Sequence, residues 1–303
     1  MITLLVGENS FEIERALADI TNNFDSNVEK INGVDLQLSQ LPDILMGVSL
    51  FATSRMIIIR NLSENKMIWP IFGDWILKIS DDINLVLIES KLDKRTSTYK
   101  TLKNNVIIKD FQLWNDRDLA QAEKWVIAQA KTMNLDLDKK SVQVILFRVG
   151  VNQWQLFHAL EKLSLTDKVS IETIENIIEP NPTENVFNLF ETALRGDLKQ
   201  LKQTLRNLEQ STDAYQLLGL LYFQVFQLAA VVSAQKTDNI AKDFGIHPYA
   251  VSKLSSIAKQ VGNRNITKIV SIFAATDDEI KLSQAEPWLL IERALLKVAS
   301  IKK

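Results

Sequence analysis

The residues that could do chemistry in this chain are few, and the first test is for a phosphate loop. "ITLLV" (Ile2–Val6) reads as a buried strand, Gly7 follows it, and a helical pattern begins near Phe11. Gly7 sits where the first glycine of G-x-x-x-x-G-K-[ST] would be. The second glycine, the lysine and the hydroxyl residue would then fall on Glu12, Ile13 and Glu14. Glycine lets the backbone approach phosphate and lysine supplies positive charge; here two carboxylates hold that ground and repel a nucleotide. The carboxylate that would hold Mg²⁺ at the end of the third strand is also replaced, because "MIIIR" ends in Arg60 followed by Asn61. Glu89 ends the next strand and, without a phosphate loop, reads as structural.

Other catalytic chemistry is narrowly bounded. The chain has no cysteine, which excludes disulfides, thiolate nucleophiles and Cys zinc sites. Its two histidines are His158 and His247, too few for a His-rich metal cluster. His158 lies among Leu156, Phe157 and Leu160 and reads as packed or half-exposed. His247 precedes Pro248 and reads as a turn cap. No nucleophile–base pair stands out, and neither cofactor nor metal is expected.

Two stretches could meet nucleic acid. "SKLDKRTSTYKTLKNN" (Ser90–Asn105) carries Lys91, Lys94, Arg95, Lys100 and Lys103 against Asp93 alone. It follows a strand end, where ligands meet α/β sheets. "NIAKDFGIHPYAVSKLSSIAK" (Asn239–Lys259) has the spacing of a helix-turn-helix, with Gly245 in the turn. A tight helical hairpin inside a bundle needs the same glycine and apolar spacing. A net charge of −2 gives no global pull towards DNA, so any contact must be local.

The elements that would position these residues follow from periodicity. At 303 residues, 46% hydrophobic and 24% charged, two or three globular domains are expected. The first ~110 residues alternate strands with helices, which predicts an α/β sheet. Predicted strands are Ile2–Val6, Asn27–Asn32, Met56–Arg60, Asn84–Ser90 and Asn105–Lys109; the uninterrupted apolar runs suit central parallel strands. Helices are predicted over Phe11–Ile20, with Asn9 and Glu12 resembling a capping box, and over Ser39–Met46, with Ser39 as N-cap, Pro42 in the first turn and Gly47 as the stop. Strong helical patterns then cover Asp118–Leu135, Ser141–Val149, Gln153–Leu163 and "SIETIENII". "EPNPTEN" (Glu179–Asn185), with two prolines, reads as a linker. Beyond it the chain reads as helical: Val186–Leu194, Leu198–Leu208, Ala214–Ala234, Asn239–Phe244, Ala250–Val261, Ile266–Asp278 and Pro287–Lys297. Ala214–Gln235 is uncharged and long enough to cross a bilayer, yet its four glutamines favour a buried bundle helix. "MITLLVGENS" is short and lacks a basic flank, so no signal peptide is read there. A cytoplasmic location is expected.

Between the stop at Gly47 and the strand at Met56 stand Ser49, Leu50 and Phe51. Two large apolar residues in such a connection are either folded back on the core or displayed for a partner.

The order of "LLVGENSFEIERAL", "LPDILMGVSLFATSRMIIIRN", "NLVLIESKLDKRTSTYKTLKN", "NVFNLFETALRGDLKQ", "LLGLLYFQVFQL" and "IAKDFGIHPYAVSKL" resembles the delta subunit of the bacterial DNA polymerase III clamp loader, over almost the whole chain. The resemblance implies a degenerate AAA+ module, made of a parallel α/β domain (1–115) and a small helical lid (116–180), followed by a C-terminal helical collar (181–303). It implies a subunit that takes no ATP and catalyses nothing itself, within a nucleotidyltransferase complex. It further implies that Leu50 and Phe51, with Ser49 in the same motif and Met46 beside it, enter a pocket on the sliding clamp. The collar would meet other loader subunits, and the basic stretch could meet primer–template DNA. No membrane partner is implied. The alternatives are a helix-turn-helix DNA-binding protein, which would bind DNA through its isolated C-terminal part, and a working AAA+ ATPase, which would bind nucleotide.

Overall fold

A computed structural model describes residues 1–24, 28–47, 54–234 and 240–301. They form two compact units, Met1–Trp114 and Asn115–Lys303.

In the first unit, five parallel strands lie in the order β2-β3-β4-β1-β5: β1 (Ile2–Val6), β2 (Val28–Asn32), β3 (Arg55–Arg60), β4 (Ile83–Glu89) and β5 (Ile107–Asp110). Successive strand residues face opposite sides, and the core splits accordingly. Leu4, Val6, Ile57, Ile59, Leu85 and Leu87 pack on one face with Leu41, Leu45, Phe72 and Leu102. Leu5, Met56, Ile58, Val86 and Ile88 pack on the other with Ile13 and Leu17. Helix α1 (Ser10–Asn22) thus covers one face, and α2 (Leu41–Met46), α3 (Phe72–Ile76) and α4 (Ser97–Asn105) cover the other. Such burial on both sides explains why the central strands carry unbroken apolar runs.

Local signals set most ends. Asn9 caps α1 by accepting from the Glu12 N–H at 3.3 Å. Ser39 does not cap α2. A 3-10 turn over Leu38–Gln40 precedes that helix, closed by a reciprocal Gln37–Gln40 capping box, so α2 starts two residues later. Asn105 closes α4 rather than opening β5.

The second unit is helical: α5 (Leu119–Thr132), α6 (Lys139–Val149), α7 (Gln153–Ser164), α8 (Ile171–Ile177), α9 (Pro182–Arg195), α10 (Leu198–Glu209), α11 (Ala214–Ser233), α12 (Ile240–Phe244), α13 (Pro248–Lys281) and α14 (Pro287–Ala299). Helices α9, α11, α13 and α14 pack against one another. By length and composition α11 could cross a membrane. It instead buries Leu217, Leu221, Leu228 and Val231 in this bundle. The two helices predicted around Gly262 run as α13, broken at Gly262, whose φ of 65° and ψ of 169° suit glycine alone.

The expected linker is not one. Pro182 is in the first turn of α9, where a missing N–H costs nothing, and Asn181 is its N-cap. The junction is stitched to α6: the Asn181 N–H donates to the Arg148 carbonyl at 2.9 Å and its Nδ2 to the Phe147 carbonyl at 3.0 Å. The buried Arg148 guanidinium donates to the Ile178 and Glu175 carbonyls and, at 2.9 Å, to Glu184.

Candidate functional site

Three places in the molecule correspond to the residues singled out above. The first is the C-terminal edge of the sheet, where a parallel α/β fold presents its ligand crevice. Only Gly7, Glu8 and Asn9 separate β1 from α1. Gly7 has φ +136°, and a Cβ there would lie 1.9 Å from the Phe111 carbonyl oxygen. The same carbonyl accepts from the Asn9 N–H at 3.1 Å, and the Phe111 N–H donates to the Val6 carbonyl at 2.7 Å. The glycine therefore serves the approach of the chain's own backbone. Glu14 pairs with Arg60 at 2.8 Å. The two replacements noted in the sequence, a carboxylate for a hydroxyl and a cation for a carboxylate, thus answer each other.

Glu89 is buried and accepts from the Ser63 N–H at 3.2 Å and the Ser63 hydroxyl at 2.5 Å. Burial pushes its carboxyl above the usual range despite those bonds. It holds the start of the Leu62–Glu64 turn, a structural task.

The second place is the basic stretch. Lys91 pairs with Glu8 beyond β1 at 2.9 Å, Lys94 with Asp110 at the end of β5 at 3.5 Å, and Arg95 with Asp93 at 2.9 Å. The Arg95 guanidinium holds the Asp93 carboxyl down at about 2. The first two pairs tie the neighbouring ends of β4, β1 and β5, and all three offset part of the positive charge. Lys100 and Lys103 sit three residues apart on the exposed face of α4, where they form no ion pair among the described residues.

The third place lies at the opposite, N-terminal edge of the sheet. Leu50, Phe51 and Ser49 lie outside the described residues, as does all of 48–53. What carries that segment is well defined. Leu41 and Leu45 of α2 are fully buried, and the Leu45 carbonyl accepts from the Ser80 N–H at 3.1 Å. Met46 follows with 44% of its surface exposed. Gly47 ends α2 with an ordinary φ of −67°, not a left-handed cap; glycine is needed because a Cβ would meet the Asp43 carbonyl oxygen at 2.3 Å. On the return, the Arg55 N–H donates to the Asp82 carbonyl at 2.9 Å. Its guanidinium reaches back to the Gly47 carbonyl at 3.1 Å and pairs with Glu29 at 3.0 Å.

Sequence reasoning missed Arg55. Its one local signal is a charge at the head of an otherwise apolar strand, and its partners are 8 and 26 residues away.

The remaining candidates are structural. His158 is exposed, contacts Glu161 at 2.8 Å and lies beside Trp154 and Phe157. His247 caps α13 by accepting from the Tyr249 N–H at 3.2 Å through Nδ1. Burial lowers its pKa to about 4. The helix-turn-helix-like pair forms with Gly245 at φ +64°, but α13 turns Tyr249, Ala250, Val251, Leu254 and Ile257 into its own core. Among the described residues no group of three or more potential metal ligands converges.

Comparison with known proteins gives a consistent result. A family model described as "DNA polymerase III, delta subunit" matches residues 4–112, and "DNA polymerase III delta subunit, C-terminal domain" matches residues 183–298, together more than half of the chain. DNA polymerase III subunit delta of Escherichia coli is 25% identical over 54% of this chain and 50% of its own length. The Bacillus subtilis subunit is 20% identical over 69% of this chain and 62% of its own. The chain thus spans about half to three fifths of the curated relatives it matches. The solved structure of the Bacillus subtilis DNA clamp loader delta protein covers 99% of this chain and 95% of its own, with a TM-score of 0.52 at 16% identity, which is a likeness of fold. The α/β unit with its parallel sheet, the helical unit and both family matches agree: this chain belongs to the DNA polymerase III delta subunit family.

Proposed function

We propose that this chain binds and opens a ring-shaped sliding clamp for loading onto primed DNA, as a non-catalytic subunit of a clamp loader in the cytoplasm. The observation that carries the reading is the build of the N-terminal sheet edge, together with the family to which the chain belongs. A helix anchored by the fully buried Leu41 and Leu45, and a central strand, flank the six residues 48–53 that include Ser49, Leu50 and Phe51. Recognition elements are commonly loops carried by such a scaffold. Leu50 and Phe51 are the anchors; burying each in a partner pocket is worth roughly 1.5–3 kcal/mol, and a few anchors dominate most interfaces. Ser49 and the exposed Met46 flank them. The chain opens the ring by binding the opened conformation better than the closed one, and by no more than that difference.

Nucleotide chemistry belongs to partner subunits. The three-residue turn after β1, the Phe111 backbone over Gly7 and the Glu14–Arg60 pair support that assignment. The helices from residue 181 onward form the collar that meets those partners, and residues 116–180 form the lid. Lys100 and Lys103 are the better of the five basic residues for primer–template contact, because Lys91, Lys94 and Arg95 already have acidic partners.

The test is binding to the cognate sliding clamp by surface plasmon resonance. Wild type binds, and Leu50→Ala/Phe51→Ala loses roughly 3 kcal/mol or more, over a hundredfold in affinity. A wild-type chain that fails to bind, or a double variant that binds equally well, overturns the reading.

A further inference from the structure

We propose that the helical unit holds a binding site for a small uncharged aromatic carboxamide, between α6, α11 and the start of α13. A cavity of about 330 Å³ lies there, at the lower end of the roughly 300–1,000 Å³ that small-molecule sites occupy. Leu146 and Phe147 of α6, with Leu220 and Phe223 of α11, supply apolar and aromatic walls. Gln224, Gln227 and His247 supply polar groups. Among the described residues that line the cavity, none is charged. Thr183 adds a hydroxyl. Asn181 also lines the cavity, but its amide is already engaged: Nδ2 donates to the Phe147 carbonyl, and Oδ1 accepts from the Glu184 N–H.

What calls for a ligand is the pair of glutamines. Gln224 is 1% exposed and Gln227 4%, and the Oε1 of each is buried without a hydrogen-bond partner. A buried amide oxygen left unpaired bears its full desolvation cost, and native interiors contain few such atoms. Here two stand three residues apart on α11, which places them on one face of the helix, at one cavity. The last torsion of a glutamine is broad and roughly two-fold. A half-turn therefore exchanges oxygen and nitrogen, and each amide can meet a group that carries a donor and an acceptor side by side. His247 adds a group of fixed sense: its Nδ1 accepts from the Tyr249 N–H, which leaves the ring proton on Nε2 as a donor. A primary carboxamide matches a glutamine amide in both directions. An aromatic ring matches the Phe147 and Phe223 walls. The lack of charge along the lining turns away a carboxylate, a phosphate or an amine, which would be desolvated there without a counter-charge.

The test follows the side-chain amides of the full chain, labelled with ¹⁵N at glutamine Nε2, in proton–nitrogen correlation spectra. Gln224→Met and Gln227→Met assign the two signals, each by its disappearance. Benzamide, pyridine-3-carboxamide and indole-3-carboxamide are titrated in, with benzoate as the charged counterpart of the first. At least one carboxamide shifts the Gln224 and Gln227 signals saturably, with half its effect at about 1 mM, as suits so small a ligand. Benzoate binds at least about tenfold more weakly. Gln224→Met/Gln227→Met keeps the length of both side chains and breaks no hydrogen bond, so its Tm stays within about 2 °C of wild type. The same variant, read by the indole fluorescence or ring-proton linewidths of the added carboxamide, binds it at least about tenfold more weakly. Three carboxamides that leave both signals unmoved at about 10 mM overturn the inference. So does benzoate binding as well as benzamide, or a double Met variant that binds the carboxamide like wild type. A double variant that melts well below wild type shows that the amides already have partners, and overturns it too.

Discussion

Replacing Arg148 by Met isolates what holds the helical unit together. Met keeps most of the apolar stem and removes the guanidinium. Left behind are the Ile178 and Glu175 carbonyls and the Glu184 carboxylate, which is 2% exposed and has one oxygen, Oε2, without a partner even in the intact protein. Lys253, caged by Phe147, Phe187 and Tyr249, stands 3.9 Å from Glu184 and is too far to replace a hydrogen bond. Removing one partner of a buried pair typically costs about 3–5 kcal/mol, chiefly because the other charge is stranded. For a unit of this size each kcal/mol moves Tm by about 2–4 °C, so the drop is roughly 6–20 °C. Adding Glu184→Leu removes the stranded charge and regains at least ~1 kcal/mol. Acid does part of the same work. Burial already raises the Glu184 pKa, with Arg148 and Lys253 opposing it. Without Arg148 the folded pKa rises further, so the folded state takes up a proton first and the deficit against wild type shrinks from pH 7 to pH 5. Thermal unfolding of the full chain, followed by far-ultraviolet circular dichroism, reads all three effects. A Tm loss under about 2 °C, or a double variant no better than the single one, refutes the reasoning.

His247 and Gly262 offer independent checks. The pKa of half-buried His247 falls to about 4 from an ordinary 6.5 through desolvation, so its contribution is complete above pH 6.5 and is lost as pH falls towards 4. His247→Asn keeps a capping side chain but not the titration; between pH 7 and pH 5.5 wild type loses about 1.2 kcal/mol more than the variant in urea unfolding. Gly262 has open space where a Cβ would go, yet its backbone conformation is reserved for glycine. Gly262→Ala therefore lowers stability by about 1–3 kcal/mol with no steric clash to relieve; an unchanged midpoint refutes the conformational argument.

What could be read from the sequence divides by range. Strands β1, β3 and β4 declare themselves because burial on both faces demands unbroken apolar runs. The long amphipathic helices declare themselves by period. The turn caps at Asn9 and His247 are legible because their partners are two or three residues away. Three departures have different causes. Ser39 looks like an N-cap until the Gln37–Gln40 box inserts a tighter turn before α2. Short α3 is masked by Pro70 and Gly73, although Trp69, Phe72 and Ile76 all face the core. Pro180 and Pro182 look like a linker, and only Arg148, 30 or more residues upstream, ties that stretch to α6. At the candidate site the apolar pair is visible in the sequence. The Arg55 fork between Gly47 and Glu29 is not, because Glu29 is distant and a backbone carbonyl leaves no sequence signature.

A chain that had lost only the side chains of a phosphate loop could regain them by single substitutions. Here the main chain differs as well: only three residues join β1 to α1, and the Asn9 N–H in that turn already donates to the Phe111 carbonyl. Grafting lysine and threonine onto positions 13 and 14 leaves that carbonyl in place and breaks the Glu14–Arg60 pair as well. On the proposed reading, a phosphate loop at this turn would call for moving the backbone after β5 as well as changing side chains.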